Sequence, residues 1–210
     1  MSYPLDLTVA LTGASPDQLY RWNRKGLLVP EICSDPREGF LWSFRDLAAL
    51  RTFVKLRTDH SLQAIRKAMS NLRDLNLTEH PAEYTLVSDG TSVFLVEERG
   101  KEATDLLKRS GQKVISNLDD AFKGFRHPSK LGDVVDFRAP RPNLEVNESR
   151  LGGFPTIRGT RIAFDSVANL VADGTVAPES VSKFYPGVTP DDVRDAVSFM
   201  EQVERKQGWA

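Results

Sequence analysis

What this chain lacks narrows the field before anything it contains. Its 210 residues include a single cysteine, Cys33. One thiol rules out an internal disulfide and a cysteine-built metal cluster, and it fits a reducing cytoplasm. The histidines are three, His60, His80 and His127, scattered without metal-ligand spacing. Cys33 falls in a loop with no histidine nearby, and no Ser-His-Asp or paired-carboxylate pattern stands out. The expectation is a protein that is not an enzyme and uses no metal or cofactor. No apolar run comes near the roughly 18 residues of a membrane-spanning helix. The N-terminus is acidic and lacks the basic-then-apolar pattern of an export signal, so a cytoplasmic location is expected. A net charge of −1 argues against a general polyanion binder.

What is present is ordinary in bulk and uneven in detail. Hydrophobic residues make up 40% and charged residues 27%, as in a soluble globular protein. The length suits one large domain or a few small ones. Between Gln18 and Arg73, eleven lysines and arginines stand against five acids, a local excess of six positive charges, and the rest of the chain is acidic. That asymmetry is the footprint of a nucleic-acid-binding end.

Thr8–Pro30 organises this basic region. Leu11-Thr12-Gly13-Ala14 closes a short apolar helix with glycine at the turn. Ser15 can cap the next helix, Pro16 fits its first position, and Asp17 adds a negative charge at the positive helix end. Leu19 and Trp22 share one face. Gln18, Tyr20, Arg21 and Arg24 fall on others and are free to project. Gly26 ends the helix, and Leu27-Leu28-Val29-Pro30 leaves as an extended apolar segment. A short anchored helix of this kind suits the DNA major groove. Arg21 and Gln18 are the candidates for base or groove contacts; Ser15 lies at the helix start, and Tyr20 and Arg24 can reach phosphates. The bland alternative is a helical hairpin with a solvated face.

The next segment favours the DNA reading. Ser34-Asp35-Pro36-Arg37-Glu38-Gly39 is a turn-rich loop and Phe40-Leu41-Trp42 a short strand, together a wing with Arg37 at its tip. Ser43 caps a helix with Leu47, Leu50 and Val54 inward. Ser61 starts another with Leu62, Ile65, Met69 and Leu72. Residues 5–75 resemble the winged helix-turn-helix of the MerR type. The likeness rests on Gly13-Ala14-Ser15, on Leu19, Trp22 and Gly26 to Pro30, on Gly39 to Ser43, and on His60 to Ile65. It implies binding to double-stranded operator DNA. Two departures stand out: that family usually carries basic residues where Asp17 and Tyr20 stand here, and its long dimerising helix is cut short by Pro81.

Residues 79–137 read as a small αβ region. Tyr84 to Val87 and Val93 to Val96 flank Asp89-Gly90, a hairpin signal. Lys101 to Arg109 reads as a helix, Gly111 to Ile115 as a third strand, and Leu118 to Phe125 as another short helix. Residues 138–147 read as a linker, stiffened by Pro140 and Pro142.

The last block, 148–210, is helical and helix-turn-helix-like. Leu151 to Ile162 is glycine-dense and carries Arg158 and Arg161. It lacks the lysine of a phosphate loop. Those arginines fit DNA or dimer contacts, and equally a structural role. A helix from Asp165 or Ser166 to Ala172 follows, then one from Pro178 toward Phe184. Thr189 caps a final helix whose stripe is Val193, Ala196, Val197, Met200 and Val203, a face that could pair in a homodimer. This block resembles the C-terminal domain of VapB-type antitoxins, on Gly152-Gly153, Pro155, Ile157 to Ile162, Gly174, Tyr185-Pro186 and Pro190 to Val193. With a MerR-like headpiece (1–78), the whole looks like an antitoxin. The resemblance implies autorepression and a PIN-domain ribonuclease toxin as partner. Arg138 and Arg141 on the linker are the candidate toxin contacts, through the carboxylates that hold such a nuclease's metal. The rivals are a free-standing or phage-type regulator without a toxin, and an adaptor that no longer binds DNA. The fold expected is mainly α, of α+β type.

Overall fold

The structure, a computed structural model, describes residues 2–35, 37–74, 85–88, 93–96, 103–107, 122–127 and 133–207. The fold is mostly helical with small antiparallel sheets. Helices α1 (Leu5–Thr12) and α2 (Pro16–Arg24) lead into the wing, followed by α3 (Phe44–Leu56) and α4 (Leu62–Asp74). A three-stranded sheet, β1 (Thr85–Ser88), β2 (Val93–Val96) and β3 (Ala103–Asp105), comes next. The ribbon β4 (Phe125–Arg126) with β5 (Asp133–Val134) follows, then β6 (Leu144–Glu145) with β7 (Thr156–Ile157). Helix α5 (Phe164–Val171), a 3-10 turn (Pro178–Lys183) and α6 (Pro190–Gln207) complete the chain.

Local chemistry explains the headpiece. Gly13 ends α1 in the left-handed conformation at φ 78°, and its N–H donates to the Val9 carbonyl. A side chain there would also strike Val134 of β5, so the turn into α2 is pressed against the β4–β5 ribbon. Ser43 and Asp46 form the capping box that opens α3. Leu47, Leu50 and Val54 are buried as the helical spacing predicts.

The hairpin expected before and after Asp89-Gly90 is present, with Thr85 opposite Val96 and Ser88 opposite Val93; the turn itself lies outside the described residues. The helix expected at Lys101–Arg109 is corrected. Residues 103–105 pair as a strand on the free edge of β2, and Leu106 N–H extends the ladder to the Val93 carbonyl at 2.7 Å. The Leu106 and Leu107 carbonyls then accept from Asn71 and Lys67 of α4. A helix would have turned those carbonyls onto its own N–H groups. Phe125, expected in a helix, also belongs to a strand, because Val134 offers it an antiparallel partner. The expected strand Gly111–Ile115 lies outside the described residues.

Residues 138–147 are not an extended spacer. Pro140, Leu144 and Val146 are buried, Leu144 pairs with Ile157, and Asn143 N–H donates to Asp195 of α6. The two prolines shape a segment that lies down on the last helix. The two ends of the chain also share one core. Helix α1 packs on both α3 and α6. The Tyr3 hydroxyl donates to the Gly152 carbonyl at 3.1 Å. Gly153, at φ 83°, lies where any side chain would collide with Phe44 and the Tyr3 hydroxyl. Aromatic rings carry the contact across: Tyr3 to Phe154, Phe154 to Phe164, and Phe164 to Phe199 at 4.9 Å. The stripe expected to pair between copies is largely used here. Val193, Ala196 and Val203 are buried within the chain, together with Phe199, while Val197 and Met200 are half-buried.

Candidate nucleic-acid interface

Helix α2 begins with a full capping box. The Ser15 hydroxyl accepts from Gln18 N–H, and the Gln18 side-chain oxygen accepts from Ser15 N–H at 2.9 Å. Pro16 occupies the first turn, where a missing N–H costs no hydrogen bond. Leu19 and Trp22 sink fully into the core, and Trp22 meets Phe53 edge to face at 6.1 Å. One face is thereby fixed, and the opposite face is held out to solvent.

The wing is pinned beside it. Cys33 and Leu41 exchange backbone hydrogen bonds, as do Tyr3 and Trp42. The buried Asp46 carboxylate accepts from Glu31 N–H at 3.0 Å and Ser43 N–H at 2.8 Å, tying the chain that enters the wing to the helix that leaves it. Asp35 bonds the Arg37 N–H and shapes the tip, where Arg37 is exposed. Tyr20 of α2 lies on Phe40 of the wing at 4.7 Å between ring centroids. Between helix and wing is a cleft of about 510 Å³ lined by Asp17, Tyr20, Arg21, Asn23, Arg24, Ser34 and Phe40.

Electrostatics single this face out. Arg21, Arg24, Lys25 and Arg37 are exposed, and none of their side chains has a hydrogen-bond or ion-pair partner among the described residues. Free cations beside an open cleft are equipped to meet phosphates and base edges.

The site residues expected from sequence divide sharply. Tyr20, Arg21 and Arg24 line the cleft and Arg37 stands at the wing tip. Ser15 and Gln18 serve the helix instead. Bidentate reading of adenine needs both the oxygen and the nitrogen of a carboxamide, and the Gln18 oxygen is engaged at Ser15. Arg138 is exposed over the Phe122 ring. Arg141 does not project: it donates to the Ser198 hydroxyl, the Ser198 carbonyl and the Gln202 side chain, over the Phe199 ring. Burial draws its pKa below the usual arginine value, with Asp195 opposing and Arg205 adding to the fall. Arg158 donates to the Pro142 and Leu144 carbonyls. Arg161 is exposed at the neighbouring turn. Sequence reasoning missed Asp17, Asn23 and Ser34 as cleft residues, because helical spacing does not show where the wing folds back. Among the described residues no cluster of three or more histidine, cysteine or carboxylate side chains is placed to hold a metal. No helix among them is long and apolar enough to cross a membrane.

Residues 3–72 match the family described as MerR HTH family regulatory protein. Residues 144–200 match a protein family of unknown function, DUF433. The chain carries a MerR-family helix-turn-helix domain at its N-terminus and a DUF433 domain at its C-terminus. The crystal structure of Rv2018 from Mycobacterium tuberculosis is similar over 93% of this chain and 96% of that one, with 21% identity and a TM-score of 0.55. That likeness extends the shared fold across both domains. No curated protein matches the chain. The MerR-type helix-turn-helix, which contains α2 and the wing, supports DNA as a partner of this chain.

Proposed function

We propose that this protein is a sequence-specific DNA-binding transcription regulator acting as the antitoxin and autorepressor of a toxin–antitoxin pair. The observation that carries the DNA reading is the set of four exposed cations on α2, its C-cap and the wing, beside an open cleft and without hydrogen-bond or ion-pair partners among the described residues. Arg21 reads a base in the major groove, and Arg24, Lys25 and Arg37 hold phosphates. What supports the antitoxin reading is the order of domains: a MerR-type headpiece followed by the DUF433 block, the block that resembles VapB-type antitoxin domains.

The partner is then a PIN-domain ribonuclease. Arg138, exposed on the chain's outer side, is its contact. Arg141 joins it only where the contacts to Ser198 and Gln202 are given up. Regulators of this kind read paired half-sites as dimers, and we place the dimer contact in the C-terminal block, on the part of α6 around the half-buried Val197 and Met200 that the chain's own core leaves over. No catalysis is assigned.

The test has two arms. Footprinting on the protein's own promoter should show protection that weakens as salt rises; no protection at low salt removes the regulator reading. Co-expression with the neighbouring gene product should rescue growth and allow co-purification. Rescue that survives Arg138→Glu moves the toxin contact elsewhere. DNA protection without any rescue leaves a free-standing regulator.

A further inference from the structure

The cleft that holds the free cations also holds a free carboxylate. Asp17 is exposed in the first turn of α2 and lines the cleft with Tyr20, Arg21, Asn23 and Arg24. Arg21 stands four residues on, one helical turn away, where an ion pair is readily formed. Yet neither side chain has a hydrogen-bond or ion-pair partner among the described residues. The cap of α2 is supplied by Ser15 and Gln18 and makes no use of Asp17.

A carboxylate on a phosphate-facing surface opposes binding to every DNA sequence alike. It favours binding only where it meets a donor. The major groove offers few. Guanine presents two acceptors there, thymine an acceptor and a methyl group, and adenine a donor beside an acceptor that repels a carboxylate. Cytosine presents its N4 amino group with no acceptor on the same base edge.

We infer that Asp17 is a specificity-determining residue that accepts a hydrogen bond from cytosine N4 in the major groove, beside the base read by Arg21. The inference rests on the DNA reading proposed above. It gives α2 two readers of opposite charge one turn apart: Arg21 selects guanine, and Asp17 selects cytosine and rejects the other three bases. It also accounts for an acid where the MerR resemblance leads one to expect a base.

The test uses the full-length protein and a random-sequence duplex library, with Asp17→Ala, Asp17→Asn and Asp17→Glu beside the parent. Asp17 is exposed and outside the capping box, so unchanged circular dichroism is expected in all three, with a small fall in melting in Asp17→Ala and Asp17→Asn from the charge lost at the helix N-terminus. The parent should enrich a motif with a fixed cytosine. Asp17→Ala and Asp17→Asn should relax that one position by roughly 5- to 150-fold. Both should also bind an unrelated duplex more tightly, by about threefold, for one unit charge roughly 8 Å from a phosphate at an effective dielectric constant of about 60. Asp17→Glu should keep the cytosine. Opposite changes in selectivity and in non-specific affinity are what a purely structural role cannot produce. An unaltered motif in Asp17→Ala overturns the inference and leaves the regulator reading standing. So does a uniform loss of affinity on every duplex. A parent that enriches no motif overturns the sequence-specific reading itself.

Discussion

The arginines of the two ends of this molecule lead opposite lives. On α2 and the wing, Arg21, Arg24 and Arg37 are exposed and donate to nothing in the described chain. In the C-terminal block, Arg141 is held by Ser198 and Gln202, Arg150 by Glu145, Arg158 by two carbonyls, and Arg194 by Asp191. Residue type does not separate the two sets, since both are arginines. The difference is geometric. A helix anchored on one face by Leu19 and Trp22 leaves its other side chains without carbonyls to reach. The folded-back strap 138–147 offers the Pro142 and Leu144 carbonyls to Arg158 and lays its own Arg141 against Ser198 and Gln202 of α6. A cation is informative about a partner only when the fold leaves it unanswered.

The largest effect comes from an arginine that belongs fully to the architecture. Arg51 is completely buried on α3. It donates to the Leu11 carbonyl at 2.9 Å and to those of Lys123 and Val135 at 2.8 and 2.5 Å, and its guanidinium lies 4.8 Å from the centre of the Phe125 ring. Burial draws its pKa down to about 10, against the opposing pull of Asp136. It therefore ties the end of α1, just before the turn into α2, to the β4–β5 ribbon. Arg51→Ala strands several buried carbonyls at once and should destabilise the protein by about 3–5 kcal/mol. Urea unfolding followed by circular dichroism measures this. A loss under about 1 kcal/mol means that water replaces the guanidinium and the tie is dispensable.

A pair of substitutions then separates the two lives directly. Arg21→Ala should leave the urea midpoint unchanged and weaken operator binding by about 1–3 kcal/mol. Arg141→Ala should do the reverse, costing about 1–2 kcal/mol of stability for the contacts to α6 and leaving DNA affinity intact. Titrations and melts on both variants decide it. If Arg21→Ala melts early, or Arg141→Ala loses DNA, the division is wrong.

This contrast also marks what the sequence made legible. The capping boxes at Ser15 and Ser43, the buried Leu19 and Trp22, the glycine turn at Gly13 and the hairpin around residues 85–96 follow from spacing and residue type, because their partners lie within a few positions. Gln18 is instructive at short range: the residue three after a capping serine is the one whose side chain folds back, so the capping-box pattern that marks the helix start also engages the Gln18 oxygen. The long-range misses have one cause. Nothing near residue 51 announces carbonyls 71 to 84 positions away, and nothing near Arg141 announces Ser198. Likewise the strand at 103–105 was hidden because Ala103, Leu106 and Leu107 sit at helical spacing, and only the open edge of β2 decides.

The joint between the two ends gives a smaller, pH-dependent effect. The Tyr3 phenol is buried against Gly152, and burial first, with the charge of Glu148 second, raises its pKa above the ordinary value. In the unfolded chain the phenol ionises near pH 10. Its contribution is therefore complete below about pH 10 and declines as pH rises above it, because the unfolded state then releases a proton that the folded state retains. Stability should fall as pH rises above about 10, and Tyr3→Phe should flatten that fall while costing about 0.5–1.5 kcal/mol at neutral pH for the lost hydrogen bond. Equal slopes in both proteins place the alkaline sensitivity elsewhere.

The smallest effect is the most exacting, because it concerns the exception. Arg161 alone among the described arginines of the C-terminal block is without a hydrogen-bond or ion-pair partner. It stands at the same turn as Arg158, three residues along, so the pair offers both lives on one hairpin. Arg158→Ala removes two carbonyl contacts and should cost about 1 kcal/mol. Arg161→Ala should change stability by no more than about 0.5 kcal/mol. If an unanswered cation marks a partner here, as proposed for α2, Arg161→Ala should lower the slope of log affinity against log salt by about one while leaving base preference untouched, the mark of a lost phosphate contact. An unchanged slope confines DNA binding to the headpiece and leaves Arg161 as an ordinary solvated side chain.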